Sequence, residues 1–382
     1  MNRKATFLTV GLAVLLSIRA DGVGQMKPSG GRVGLQAFAK SAQVFPGGIF
    51  QIAAADLDGD GDQDAVFAGT PGPSHVFLND GRGAFRDSGQ VFRPALHGIA
   101  IGDLDGDGDP DLIFAAVHSG QASPVYINDG HGRFTEMGEG ALGSGIAVFL
   151  IDIEKDGDLD IVLERSQGDS IYLTDGKARF SRGGTAIPGY AGFGDLNGDG
   201  CADWLLSRPG KGFEVSLNDG RGNFLEPVLF PKTDLISRFH ALADLDADGD
   251  IDVVYSNGEG EIRPSGILWN DGKGRLSESG QTLARVEAGR IGAGDLNGDG
   301  FADLLFADSS GPAQVWLNDG KGRFFDSGAR LDESGARHGF ALADFDGDGD
   351  LDVFIANFLN PKGHSGLWFN LTRATASPVY GG

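Results

Sequence analysis

One cysteine, Cys201, stands in a chain of 382 residues, so no internal disulfide can hold the fold. Basic residues are also scarce: 31 Lys and Arg face 54 Asp and Glu, for a formal charge of −23, and they form no run or stripe. That balance argues against nucleic acid and anionic membrane as partners, since both are held by clustered cations. Long apolar runs are missing as well, apart from Ala5 to Ile18. This run is shorter than the ~20 residues needed to span a bilayer, follows Arg3 and Lys4, and leads to the small residues Ala20 and Gly22, the three parts of a secretory signal. No nucleophile paired with a base, no histidine cluster of metal-binding spacing and no phosphate loop can be found.

What the chain has in abundance is glycine, 64 residues of it, recurring at fixed places in a repeat. The repeat is an acidic nine-residue stretch, as in Asp103-Leu-Asp-Gly-Asp-Gly-Asp-Pro-Asp111. It opens at Asp56, Asp103, Asp152, Asp195, Asp244, Asp295 and Asp344, a spacing of 43 to 51 residues. Such a period overrides the two or three domains that length alone would suggest, and belongs to propellers and solenoids. Each unit reads as four short strands. Gly98-Ile-Ala-Ile-Gly102 precedes the acidic loop and Leu112-Ile-Phe-Ala-Ala116 follows it. Then come Val125-Tyr-Ile127, an Asn128-Asp129-Gly130 turn and a strand opening at Arg133-Phe134.

The turn recurs at Asp80, Asp129, Asp175, Asp219, Asp271 and Asp319 but is missing after Leu367-Trp-Phe-Asn370. At the other end, Phe38-Ala-Lys-Ser41-Ala-Gln43-Val44-Phe45 matches Phe85-Arg-Asp-Ser88-Gly-Gln90-Val91-Phe92 without a blade of its own. The two ends therefore complete one another. The expected fold is all-β, a seven-bladed β-propeller of four-stranded antiparallel blades, closed by pairing the N-terminal strand (about 36–45) into the last blade. The expected organisation is a signal peptide over 1–22, a disordered linker over 23–35, the propeller over 36–370 and a polar tail over 371–382. Three residues before each loop stand Ala53, Ala100, Phe149, Gly192, Ala241, Gly292 and Ala341, small side chains suited to crowding around an axis. Trp204, Trp269, Trp316 and Trp368 lie in apolar runs and are assigned to core packing.

More than half of the acidic residues sit in the seven loops. Positions 1, 5 and 9 are always Asp: Asp56, Asp60 and Asp64; Asp103, Asp107 and Asp111; Asp152, Asp156 and Asp160; Asp195, Asp199 and Asp203; Asp244, Asp248 and Asp252; Asp295, Asp299 and Asp303; Asp344, Asp348 and Asp352. Position 3 is Asp58, Asp105, Glu154, Asn197, Asp246, Asn297 or Asp346, and position 6 is always glycine. With a backbone carbonyl from position 7 (Asp62, Asp109, Asp158, Cys201, Asp250, Phe301, Asp350), the set offers the six to eight oxygens that calcium prefers. Up to seven calcium ions, one per blade, are expected, and they would bring the charge from −23 to about −9. An EF-hand is excluded because position 12 is Phe67, Phe114, Leu163, Leu206, Tyr255, Phe306 or Ile355, never the bidentate Glu. The loops at Asp152, Asp195 and Asp295, with Glu154, Asn197 and Asn297, are expected to bind more weakly.

These loops, each with its preceding small-residue strand as in Ile99-Ala-Ile-Gly-Asp103, resemble the FG-GAP or VCBS repeats of bacterial secreted proteins and of the integrin α-subunit propeller. The resemblance spans roughly residues 36–370 and implies calcium ligands at positions 1, 3, 5, 7 and 9. Its members include adhesion modules, lectins and parts of polysaccharide lyases, so it leaves function open.

Recognition is expected on the face opposite the acidic loops, where the connections vary in length. Six of the seven histidines, His75, His97, His118, His240, His338 and His364, lie in or beside those connections. His97, Arg238 and His338 occupy the same position, six before the loop, and are the candidate ligand residues at the channel mouth. The chain reads as a secreted, periplasmic or cell-surface monomer, a non-catalytic module binding an extracellular glycan or protein. The alternative is a lyase-like enzyme acting on polysaccharide from the same face. Asn370-Leu371-Thr372 also fits a glycosylation sequon.

Overall fold

The computed structural model describes residues 37–373, except 71, 93–95, 119–120, 139–141, 166–169, 184–189, 236–238, 258–261, 288, 332–338 and 359–363. The signal segment, the linker, Arg238, His338 and all but the first residues of the tail lie outside the described residues.

Seven four-stranded antiparallel sheets form a ring, with no helix among the described residues. Blade 1 runs Ile49–Ala55, Asp64–Gly69, His75–Leu78 and Arg86–Val91, each strand pairing with the next. Blades 2 to 6 repeat this order, opening at Leu96–Gly102, Ala147–Ile151, Tyr190–Gly194, His240–Ala243 and Arg290–Gly294. Blade 7 is built from Phe340–Ala343, Asp352–Ile355 and Gly366–Asn370, and its fourth strand is Phe38–Lys40 from the chain start. The register Phe38↔Asn370 and Lys40↔Trp368 closes the ring as the sequence ends imply. A two-stranded addition, Arg263–Pro264 with Arg285–Val286, decorates the connections beside blade 5.

The strand character follows radial position. Second strands such as Asp64–Gly69 and Asp160–Glu164 are buried at every residue, because a neighbouring blade covers each face, and so they read as unbroken apolar runs. The outer strand Arg86–Val91 alternates between exposed and partly exposed residues and reads as polar. First strands crowd the axis: a Cβ on Gly292 would lie 2.5 Å from the Phe340 ring of the next blade. Closure is sealed by an aromatic cluster in which Phe45 packs on Phe354 at 4.6 Å and touches Phe67, Phe77 and Phe85 of blade 1. Phe45 and Phe354 are both fully buried, a contribution of about 1.5–3 kcal/mol for each ring. Trp204 is likewise fully buried, Trp368 nearly so, and Trp269 and Trp316 pack partly buried against the core.

A polar seam runs around the ring as well. The asparagine opening each 3–4 turn donates from Nδ2 to the carbonyl at position 2 of the preceding blade's acidic loop, at 2.8 Å in all six instances. Asn128 reaches Leu57, Asn218 reaches Ile153, Asn270 reaches Leu196, Asn318 reaches Leu245 and Asn370 reaches Leu296, while Asn79 reaches back to Phe345 across the closure. Blade 3 has Thr174 there, and the Leu104 carbonyl is met by the Ala178 amide instead. Outer strands are linked by glutamines: Gln43 and Gln90 each accept from a backbone N–H of the next blade, Phe85 and Phe134. Gln43 in the N-terminal segment thus takes the place that Gln90 holds one blade later.

Candidate metal centres and the opposite face

Each acidic loop is shaped by its own carboxylates. In blade 1, Asp56 accepts from the amides of Gly59 (2.8 Å) and Gly61 (3.1 Å), and Asp60 accepts from the Asp62 amide at 3.0 Å. Asp64 at position 9 is buried and accepts from the Leu57 amide at 2.9 Å and the Asn79 amide at 2.7 Å. It therefore ties the loop to the 3–4 turn. The glycines at positions 4 and 6 turn with positive φ, +78° at Gly59 and +96° at Gly61, which lets the carboxylates converge.

One ligand oxygen from each of Asp56, Asp58 and Asp64 lies within 4.8 Å of the others. The same holds for Asp103, Asp105 and Asp111, for Asp244, Asp246 and Asp248, and for Asp344, Asp346 and Asp348. These are the four loops with Asp at position 3. Asp58 Oδ1, Asp244 Oδ1, Asp346 Oδ1 and Asp348 Oδ2 are buried without any hydrogen-bond partner. Unpaired carboxylate oxygens packed together cost free energy unless a cation joins them, and an all-oxygen donor set fits a hard divalent ion such as calcium. Burial first, then the neighbouring carboxylates, raises Asp58, Asp105, Asp246 and Asp346 above the usual carboxyl range. At position 9, burial pushes Asp64, Asp111, Asp160 and Asp252 up to about 7, Asp303 and Asp352 to about 8, and Asp203 to about 6.

In two of the three remaining loops an asparagine answers the position 5 carboxylate. Asn197 donates to Asp199 at 2.9 Å and Asn297 to Asp299 at 3.0 Å. Lys155, from the blade 3 loop, reaches across to the Asp199 carbonyl at 2.8 Å. Although burial raises Asp199, the hydrogen bonds from Asn197 and Cys201 hold its carboxyl below the usual range. Position 7 side chains lie over the turn glycine of their own blade: a Cβ on Gly81 would be 2.4 Å from Asp62, one on Gly220 3.1 Å from Cys201 and one on Gly320 2.6 Å from Phe301. Carboxylate, thiol and phenyl share one place, so the carbonyl is the only donor common to position 7. The side chains of Asp109, Asp158 and Asp250 contact their turn glycines in the same way, and Asp350 pairs with Arg373 at 3.3 Å.

On the opposite face, His97 stacks on Phe50 with ring centroids 4.0 Å apart and planes 9° from parallel. Burial, with the Arg290 and His118 charges nearby, holds it down to about 4. Sequence comparison missed its partners. Arg290 lies over Phe50 at 5.1 Å and over Phe239 at 5.8 Å, and Phe358 meets Phe50 edge-on at 5.3 Å. The available signal was an arginine five before the loop, where the other blades carry Gln51, Gly98, Ala147, Tyr190, Phe239 and Gly339. The sequon is closed to modification, since Asn370 is fully buried and bonded to Leu296 and Leu351.

A closed ring of seven blades, each with an oxygen-lined loop between its first two strands, defines the molecule as a β-propeller of repeated candidate metal loops. Its sequence matches the FG-GAP-like repeat over residues 56–114, 103–163, 195–255, 244–305 and 295–355, and the chain belongs to that family. No curated protein matches it in sequence. Among solved structures it is similar to the BP39L lectin of Burkholderia pseudomallei, with a TM-score of 0.63 and 14% identity, covering 85% of this chain and 96% of that one. It is also similar to an Agrocybe aegerita lectin that recognises non-reducing terminal N-acetylglucosamine, with a TM-score of 0.55, 23% identity and coverage of 72% and 79%. A third likeness is BBS1N in complex with ARL6DN, with a TM-score of 0.56, 12% identity and coverage of 91% and 98%. At these identities the likeness is one of fold. Among the described residues no helix is long and apolar enough to cross a membrane.

Proposed function

We propose that this protein is an extracellular, calcium-stabilised propeller that binds carbohydrate without turning it over. The carrying observation is that a propeller similar in fold to two lectins also presents partly exposed aromatic rings, Phe50, Phe239 and Phe358, at the mouth of its channel. Such rings stack on the apolar faces of sugars. Calcium supports this function at a distance, by fixing the acidic loops on the other face, and the connections between blades do the recognising.

The lyase-like alternative gains little from the site. A histidine held down to about 4 is neutral at pH 7 but a weak base, and proton abstraction at carbon asks for a stronger one. Binding of the full chain to a glycan array, run in millimolar calcium and again in chelator, tests the proposal. Calcium-dependent capture of one glycan class is the expected result. A silent array beside a productive pull-down of an extracellular protein would replace carbohydrate binding with adhesion, and cleavage of any polysaccharide would overturn the non-catalytic part.

A further inference from the structure

We propose that the mouth of the central channel is a subsite for a carboxylate-bearing sugar, with Arg290 as the residue that receives the carboxylate and the partly exposed rings of Phe239 and Phe358 as the walls beside it.

Arg290 opens the first strand of blade 6, yet its guanidinium contacts Phe50 of blade 1, two positions around the ring, so the contact crosses the channel mouth. Phe239 comes from blade 5, His97 from blade 2 and Phe358 from blade 7. Each of these residues lies at the end of a strand remote from the acidic loop, which places the whole cluster on the face of variable connections. Five side chains from five blades meet here: Phe50 and His97 each stand six before their loop, and Phe239 and Arg290 five before theirs, so the positions recur but the residue types differ from blade to blade. A cluster with these properties is a feature of the assembled ring rather than of the blade.

Its charge is poorly satisfied. Arg290 is only 5% exposed, and its Nε is buried without a hydrogen-bond partner. Glu164 at the end of the second strand of blade 3 acts on it only through its field. Complete burial pushes the guanidinium down to about 10, which leaves it charged at neutral pH. A buried cation that lies against aromatic faces, with a carboxylate acting on it through its field alone, keeps an unanswered demand for a bonded acceptor, and a guanidinium answers a carboxylate better than any neutral group. The rings around it are partly exposed, so the cation sits at the floor of an aromatic rim.

This arrangement favours a sugar acid over an acidic peptide. Flat aromatic walls beside one cation suit a pyranose, which offers an apolar C–H face and a carboxylate on the same rigid ring. A glutamate side chain offers the carboxylate alone. The inference rests on the carbohydrate reading above and adds to it the charge and the place of the ligand.

Calorimetry on the full chain in calcium, with an oligo-uronate and its carboxyl-reduced counterpart as paired probes, provides the test. The oligo-uronate should bind at least tenfold more tightly than the reduced form. Arg290→Met should erase that difference while leaving the melting temperature in calcium within a few degrees. Should the methionine variant fail to fold, Arg290→Lys keeps the charge and most of the volume but loses Nε and the paired donors, and it should reduce the preference several-fold. Equal binding of the two probes to the unaltered protein, or a full preference kept by either folded variant, would overturn the proposal. If neutral glycans bind and oligo-uronates do not, the subsite falls and the carbohydrate reading stands. Binding of poly-glutamate in preference to every sugar, lost in Arg290→Met, would hand the site to an acidic protein partner and reject the sugar.

Discussion

Asn270 donates from one side-chain nitrogen to the Leu196 carbonyl in the neighbouring blade at 2.8 Å and to Ile251 in its own at 3.0 Å, and it is almost wholly buried. Replacing it with alanine removes both bonds, and although the Gly274 amide still meets the Leu196 carbonyl at 2.9 Å, a loss of about 1–2 kcal/mol is expected in denaturant unfolding. Thr174 gives the converse case. Thr174→Asn should restore the bond to Leu104 that six other blade junctions possess and add about 1 kcal/mol. Ala178, with φ at +55°, stands where other blades have glycine, as at Gly132 with φ at +68° and Gly274 with φ at +74°. Ala178→Gly should therefore also stabilise, by about 1 kcal/mol. The importance of the asparagine is legible in its recurrence, but its partner is not, because the bond runs to a different blade about 70 residues away in sequence.

Within one blade, the acidic loop and the 3–4 turn act as a single element, joined by the position 9 carboxylate. Three of the four loops with Asp at position 3 leave buried oxygens unpaired, whereas those with Asn197 or Asn297 use the amide to bond position 5. Calcium titration of the metal-stripped protein should therefore resolve a tighter group from a weaker one. Asp58→Asn should shift its loop from the first to the second, read as about a tenfold loss at one site and a lower melting temperature in limiting calcium. A titration that showed one homogeneous class would contradict the geometric distinction. The ligand pattern was readable from sequence because all nine positions are contiguous. Lys155 was not, since it reaches into the loop of the next blade.

For the whole molecule, seven buried position 9 carboxylates couple stability to pH. In the ion-free chain their folded-state pKa values, about 6 to 8, exceed the ordinary carboxyl value near 3.8. The folded state then holds more protons than the unfolded one between about pH 4 and pH 7, and stability falls as pH rises through that window. Calcium bound in the loops, as proposed, would favour the ionised form and reverse the trend. Melting temperatures in chelator should decline from pH 5 to pH 8, while the stabilisation by calcium should grow over the same range. A chelated protein that became more stable toward pH 8 would remove these carboxylates as the controlling groups.

Sequence by itself determined the seven blades, the loop chemistry and the closure of the ring by Phe38 to Phe45. Each of these is carried by a local motif that repeats, or by a fragment that visibly lacks its other half. The channel mouth was decided by tertiary structure. His97 could be picked out by its repeat position, but its stacking on Phe50 and the arginine crossing to both could not. Phe50 and His97 share one repeat position and Phe239 and Arg290 the next, but their residue types do not recur from blade to blade, and with Phe358 the five lie as far apart as 308 residues in sequence. They meet only because a closed ring brings the inner ends of all its blades to one axis, and chain order carries no record of which side chains face each other across it.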